Sequence, residues 1–227
     1  MKKRAFTIAE ILITLGIVGV VAALTIPQIT TESKKQLYAN TLSVAVVDLE
    51  TAMTTMTMRE GVDTLYETEA WKSNFLTELK KVMPYKHYSK AGTLSRASLD
   101  VPNSEGGHSY NYFIETKKGV AYYISINSQP APKSENEIML AGGNLISQAG
   151  FVSIDINARN KPNMWGRDTF TYVLGADGHL YPEGGKDVTI YNGKTYSAGD
   201  AEKKCKTDRI GNACAAYLAE NGYKMDY

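Results

Sequence analysis

Lys2-Lys3-Arg4-Ala5-Phe6-Thr7-Ile8-Ala9-Glu10 leads into the apolar run Ile11-Leu12-Ile13-Thr14-Leu15-Gly16-Ile17-Val18-Gly19-Val20-Val21-Ala22-Ala23-Leu24-Thr25-Ile26-Pro27. As a helix at 1.5 Å per residue, 6–27 reaches roughly 33 Å, enough to cross a hydrocarbon core of about 30 Å. Lys2, Lys3 and Arg4 lie on its short side, so the positive-inside rule keeps that end in the cytoplasm and sends the long remainder across. The expected orientation is N-in, C-out. One carboxylate, Glu10, sits just inside the apolar segment, where an ionised side chain costs about 3 kcal/mol or more unless partnered. A charge at that depth implies a partner.

A secretory signal peptide is the rival reading, with a basic start, an apolar centre and small residues at a cleavage site. Ala22-Ala23-Leu24 matches such a site poorly. A discarded peptide also needs neither Glu10 nor a proline followed by an amphipathic helix.

From Ala5 to Pro27 the sequence resembles the class III signal of type IV pilins and type II secretion pseudopilins. The resemblance implies that a prepilin peptidase cuts between Ala5 and Phe6 on the cytoplasmic side, N-methylates Phe6, and leaves the apolar helix on the mature chain. It implies that Glu10 pairs with the terminal amine of a neighbouring subunit, identical or homologous, in a filament grown on an inner-membrane assembly platform. It also implies a stretch between Gly19 and Pro27 that loosens within filaments. Ala5 stands where the family usually has glycine; alanine is also small. The physical logic holds without the family. A carboxylate in apolar surroundings is strongly favoured by a nearby cation, and in a bundle of identical chains the cation at that depth is the α-amino group that cleavage creates.

The 227 residues divide on this reading into a leader, 1–5, a membrane and assembly helix, 6–27, an amphipathic helix, 28–60, and a head, 61–227. One soluble domain on a stalk fits that length. Taking the three leader cations from a formal charge of +1 leaves −2, which argues against nucleic acid as an obligatory partner.

Tyr38, Leu42, Ala45, Leu49, Ala52 and Met56 recur at alternating spacings of four and three, which predicts one buried face on a helix over 30–59, with Asp48, Glu50 and Arg59 elsewhere. Gly61 is a plausible end. A second helix is predicted over 67–82, where Trp71, Phe75, Leu79 and Val82 share a face and Pro84 stops it. The stretch 89–107 reads as a loop. Strands follow at 110–116 and 120–127, joined by a glycine-containing turn, then at 151–156, and at 169–174 with 179–181. A small hairpin is predicted over 188–196, turning at Asn192-Gly193. The segment 128–150 reads as a long connection, either functional or a tolerated insertion. Long helix then antiparallel sheet is an α+β arrangement, and by resemblance a pilin-like one.

Chemistry-bearing motifs are few. His87, His108 and His179 are the histidines, and no metalloprotease helix, nucleophile elbow or phosphate loop occurs. A structural rather than enzymatic role is expected, with no cofactor. The alternatives are a monomeric membrane-tethered binding module and, more remotely, an anchored enzyme. Asp155, Asn157, Asn163 and Asp168 supply hard oxygens at loop spacing, as calcium requires, but Arg159, Lys161 and Arg167 offset their charge. The other reading is an Asx-rich turn whose side chains bond backbone and hold the strand at Ile154 to the strand at Phe170. Cys205 and Cys214, the only cysteines, are expected to be oxidised outside the cytoplasm, and many type IV pilins close a C-terminal loop in this way.

Overall fold

The computed structural model describes residues 7–90, 110–128, 137–140, 143–158, 160, 163–182, 188–191, 201–208 and 211–227. Helix α1, Ile8–Glu60, is one helix of 53 residues, about 80 Å at the standard rise. Thr7 caps its start, and Gly61 ends it in the left-handed conformation at φ 66°, which glycine adopts without a Cβ penalty.

The two halves of α1 have different surroundings. Every described side chain from 7 to 27 is exposed except Ala22, which is half-buried. From Ala39 onward the helix buries Leu42, Ala45, Val46, Leu49, Ala52, Met53 and Met56. The spacing of four and three in the sequence therefore marks the core face, with Tyr38 half-buried at its start. In the single chain the helix is continuous from Gly19 to Pro27, the stretch where loosening is expected within a filament. Pro27 removes a single ladder hydrogen bond, and the helix carries on through it, with the Thr30 and Thr31 hydroxyls both donating to the Pro27 carbonyl.

After Gly61 the chain does not form the single helix predicted over 67–82. A 3-10 turn, Leu65–Glu67, and a π turn, Ala70–Asn74, precede α2, Phe75–Val82. Thr68 interrupts the run: its backbone is extended, and its hydroxyl donates to the Leu65 carbonyl, the local competition that threonine offers to a helix. Trp71 is buried and its indole N–H donates to the Asn127 carbonyl, which ties the π turn to the sheet.

Eight antiparallel strands follow among the described residues: β1 Tyr85–Lys90, β2 Tyr112–Thr116, β3 Ala121–Ile126, β4 Glu137–Leu140, β5 Leu145–Asp155, β6 Thr169–Gly175, β7 Leu180–Tyr181 and β8 Val188–Tyr191. Their order runs β1-β2-β3-β5-β4-β8, and β6 pairs with both β5 and β7. The protein is α+β, a long N-terminal helix followed by an antiparallel sheet. Strands enter two stretches read as loop. β1 begins before the stretch read as loop, most of which lies outside the described residues. β4 and the first half of β5 form a hairpin inside 128–150, with Ile138 opposite Ile146 and Gly143 at φ 83° in its turn. Of the hairpin predicted over 188–196, β8 is described and pairs with β4, while 192–200 lies outside the described residues.

The core lies between the inner face of the sheet and α1. Ile114, Tyr122, Ile124, Val152, Ile154, Phe170, Tyr172 and Leu174 meet the helix face there. Polar ties fix the register of helix on sheet: the Tyr122 hydroxyl donates to the Ala45 carbonyl at 3.0 Å, and the Leu180 amide donates to the Glu50 carboxylate at 2.8 Å. Among the described residues, no side chain of the first half of α1 belongs to this core. A chain starting at Thr30 is therefore expected to fold and stay soluble with an unfolding midpoint unchanged within a few degrees, as thermal circular dichroism would record. A truncated head without a cooperative transition would refute it.

One close approach sets the packing of β3 on β5. A Cβ on Gly150 would sit 1.9 Å from the Ser125 carbonyl oxygen, so the backbone itself would have to move. Gly150→Ala is expected to cost about 2 to 3 kcal/mol through that overlap, measured by denaturant unfolding. An unchanged midpoint would show the two strands free to part.

Candidate functional site

Three regions carry the candidate residues. The first is the start of α1. Thr7 and Glu10 form a reciprocal cap, the arrangement that satisfies two of the donors a helix start leaves open. The Thr7 amide and the Thr7 hydroxyl each donate to Glu10 Oε2 at 2.8 Å, and the Glu10 amide donates back to Thr7 Oγ1 at 3.2 Å. The capping signature was present in the sequence as Thr7-Ile8-Ala9-Glu10 and is the residue role that reading for charge alone misses. Ala5 and Phe6 lie outside the described residues. Gly19 and Pro27 lie on the exposed half of the helix, and nothing stands within 4 Å of where a Gly19 Cβ would be.

The second region is the turn between β5 and β6, where Asp155, Asn157, Asn163 and Asp168 come together. Asp168 is fully buried and accepts from the Met164 amide at 2.5 Å, the Asn163 amide at 2.7 Å and the Asn157 side-chain amide at 3.1 Å. Burial pushes its carboxyl above the usual carboxylate range, and those three donors oppose that push. Asp155 accepts from the Asn157 amide two residues on, an Asx turn. Strand pairing brings Ile154 opposite Phe170 and Asp155 opposite Thr169. Protein donors thus converge on Asp168, the carboxylate that a cation would need. Among the described residues no group of three His, Cys, Asp or Glu side chains is disposed to hold a metal.

The third region is the C-terminal pair of helices, α3 Ala201–Asp208 and α4 Gly211–Glu220. Cys205 and Cys214 are disulfide-bonded. They sit on the two helices and are fully buried, where the sequence suggested a short polar loop. Ala213 to Leu218 are buried residue after residue, the mark of a helix enclosed on several sides. Lys206 reaches Glu202 at 2.9 Å and Asp226 at 3.3 Å, and the Tyr227 hydroxyl donates to the Gly166 carbonyl, so the C-terminal segment is bonded to the turn that holds Asp168.

A shallow groove of about 290 Å³ lies between α1 and the β2–β3 turn, floored by Val44, Ala45, Val120 and Tyr122 and rimmed by the Asp48–Lys118 ion pair. The hydroxyls that line it, those of Thr41, Thr116 and Tyr122, donate to the backbone carbonyls of Leu37, Val120 and Ala45. His179 stands 3.6 Å from Glu50 at the far end of the sheet, His87 is exposed on β1, and His108 lies outside the described residues. Comparisons with protein-family models, curated proteins and solved structures return no match.

Proposed function

We propose that the chain is a type IV pilin-like subunit: made with a leader, cut between Ala5 and Phe6 by a prepilin peptidase, N-methylated at Phe6, and polymerised through α1 into a pilus or secretion pseudopilus filament. The observation that carries this reading is the single helix with two environments. Its first half is apolar enough to cross a membrane and its described side chains stay out of the head's core, while its second half is the spine of that core. A plain membrane anchor needs no such rigid continuity, since a flexible linker would serve a tether as well.

Two further features support it. The outer face of the head half of α1 keeps Leu37, Val44 and Val47 exposed, so apolar surface runs on past the span where a neighbouring helix could lie against it. Glu10 remains in the apolar half with a threonine as its protein partner, short of the cation that a carboxylate at membrane depth calls for. The subunit is held N-in and C-out in the cytoplasmic membrane until an assembly platform draws it into the filament.

Mass spectrometry of the mature protein tests the reading. A chain beginning at Phe6 and heavier by one methyl group is expected. An intact leader, or a cut beyond Ala23, would replace the filament subunit with a tethered monomer or a secreted head.

A further inference from the structure

We propose that helix α3 is a redox-sensitive latch on the head, a unit that opens on its own and is held shut by the Cys205–Cys214 bond. The sequence of α3, Ala201-Glu202-Lys203-Lys204-Cys205-Lys206-Thr207-Asp208, offers the core little. Ala201 and Cys205, both small, are its buried side chains, while Glu202, Lys203, Lys206 and Thr207 are exposed. A helix of eight residues is marginal by itself in water and depends on its packing. Among the described elements α3 packs on α4. Lys206 adds a hold, with its ammonium 3.3 Å from Asp226 and 5.1 Å from the centre of the Tyr217 ring. Lys206 and Asp226 are both open to water, where an ion pair secures a helix weakly.

The other end of the bond is seated differently. Ala213 to Leu218 are buried and α4 lies along β6, so α4 belongs to the core and stays when α3 lifts. The bond thus joins a polar, shallowly seated helix to one fixed in place. Both cysteines are fully buried, so a dissolved thiol reaches the sulfurs only as α3 lifts, and the closed latch shields its own bond. Closing it passes two electrons and two protons from the cysteine thiols to a disulfide-bearing donor, which leaves as a dithiol. Such donors act outside the cytoplasm, so latching follows export. That timing rests on the N-in, C-out reading above; the latch itself does not.

Hydrogen exchange read by mass spectrometry, on the full chain in detergent micelles, compares wild type with the double variant Cys205→Ala and Cys214→Ala. Alanine keeps the sites small and apolar and removes the bond. Cross-linking two residues nine apart disfavours the open form about a hundredfold in the chain-entropy model, equivalent to about 2.8 kcal/mol. The amides of 205–208 are therefore expected to exchange about a hundredfold faster in the double variant, while those of 214–218 and of β6 stay within about threefold of wild type. A rise below about tenfold in α3 overturns the proposal, because packing then suffices to hold the helix. A matching loss of protection in α4 and β6, or a double variant that does not fold, also overturns it, because the bond then holds the whole head. Lys206→Met with the bond intact is expected to leave α3 within about threefold of wild type; a rise as large as the double variant's would assign the hold to the lysine and sink the latch.

Discussion

A Glu10→Gln chain is expected to insert, lose its leader and then accumulate as a membrane monomer, with filaments reduced at least a hundredfold. Glutamine makes the helix start less polar, so insertion is not opposed. It also still serves as the third residue of a reciprocal cap, so the Thr7 contact and the start of α1 survive. What disappears is the charge. A subunit entering a helix bundle brings its α-amino group into low dielectric, and without a carboxylate on its neighbour that cation stays unpaired, a loss of about 3 to 5 kcal/mol for a broken buried pair. At about 1.4 kcal/mol per factor of ten, even the lower figure exceeds a hundredfold at every addition. Immunoblots of sheared and membrane fractions, with the variant as the only copy, give the answer. Filaments at wild-type abundance would remove Glu10 from assembly and favour the tethered monomer.

The head half of α1 was legible because its apolar residues keep the helical period for five turns. Each of Leu42, Ala45, Leu49, Ala52 and Met56 is buried where that period puts it. The β2–β3 pair was legible from its turn, Lys117-Lys118-Gly119, a short glycine-containing connection between two strand-forming runs. β4 was not. Its four residues, Glu137–Leu140, are too few to show a period, and Gly143, read as part of a loop, sits in the hairpin turn joining it to β5. The break at Thr68 was hidden differently, since the apolar face of Trp71, Phe75 and Leu79 lies wholly beyond it, across the junction of the π turn with α2. Helical spacing reports which side is buried, and local hydroxyl competition decides whether the backbone stays helical.

The candidate site divides in the same way. Glu10 announces itself because a carboxylate among isoleucines and leucines is costly in lipid. The hydroxyl that engages it costs little and draws no attention in a composition count. The cysteines could be paired from their compartment and number, yet their burial on two helices required the packing of α4 against β6, a long-range contact no local pattern encodes. Asp155, Asn157, Asn163 and Asp168 were read as one group from oxygen chemistry. Whether such a group faces a cation or its own backbone depends on which way the amides of residues 163 and 164 point, and that is a property of the folded turn.

Asp168→Ala is accordingly expected to destabilise the head by about 4 kcal/mol, the largest stability effect foreseen for a polar residue. The carboxylate accepts the Met164 and Asn163 amides and the Asn157 side chain in a fully buried position. Alanine removes the acceptor and leaves these donors to find other partners, at about 1 to 3 kcal/mol for each that stays buried and unpaired. The consequences extend beyond the turn. The amide of Ile156 donates to the Asp168 carbonyl, and the Tyr227 hydroxyl donates to Gly166, so a loosened turn frees the ends of β5 and β6 together with the C-terminal segment. For a protein of this size a change of 4 kcal/mol lowers the unfolding midpoint by about 8 to 16 °C. Asp168→Asn keeps one acceptor oxygen but turns an amide donor toward the others, and should fall between wild type and alanine. Because the donors come from the protein, the wild-type midpoint is expected to be the same in millimolar calcium and in chelator. A rise in the midpoint with calcium that Asp168→Asn abolishes would mean that the turn rearranges to hold the cation, and the internal-donor account of Asp168 would then be wrong.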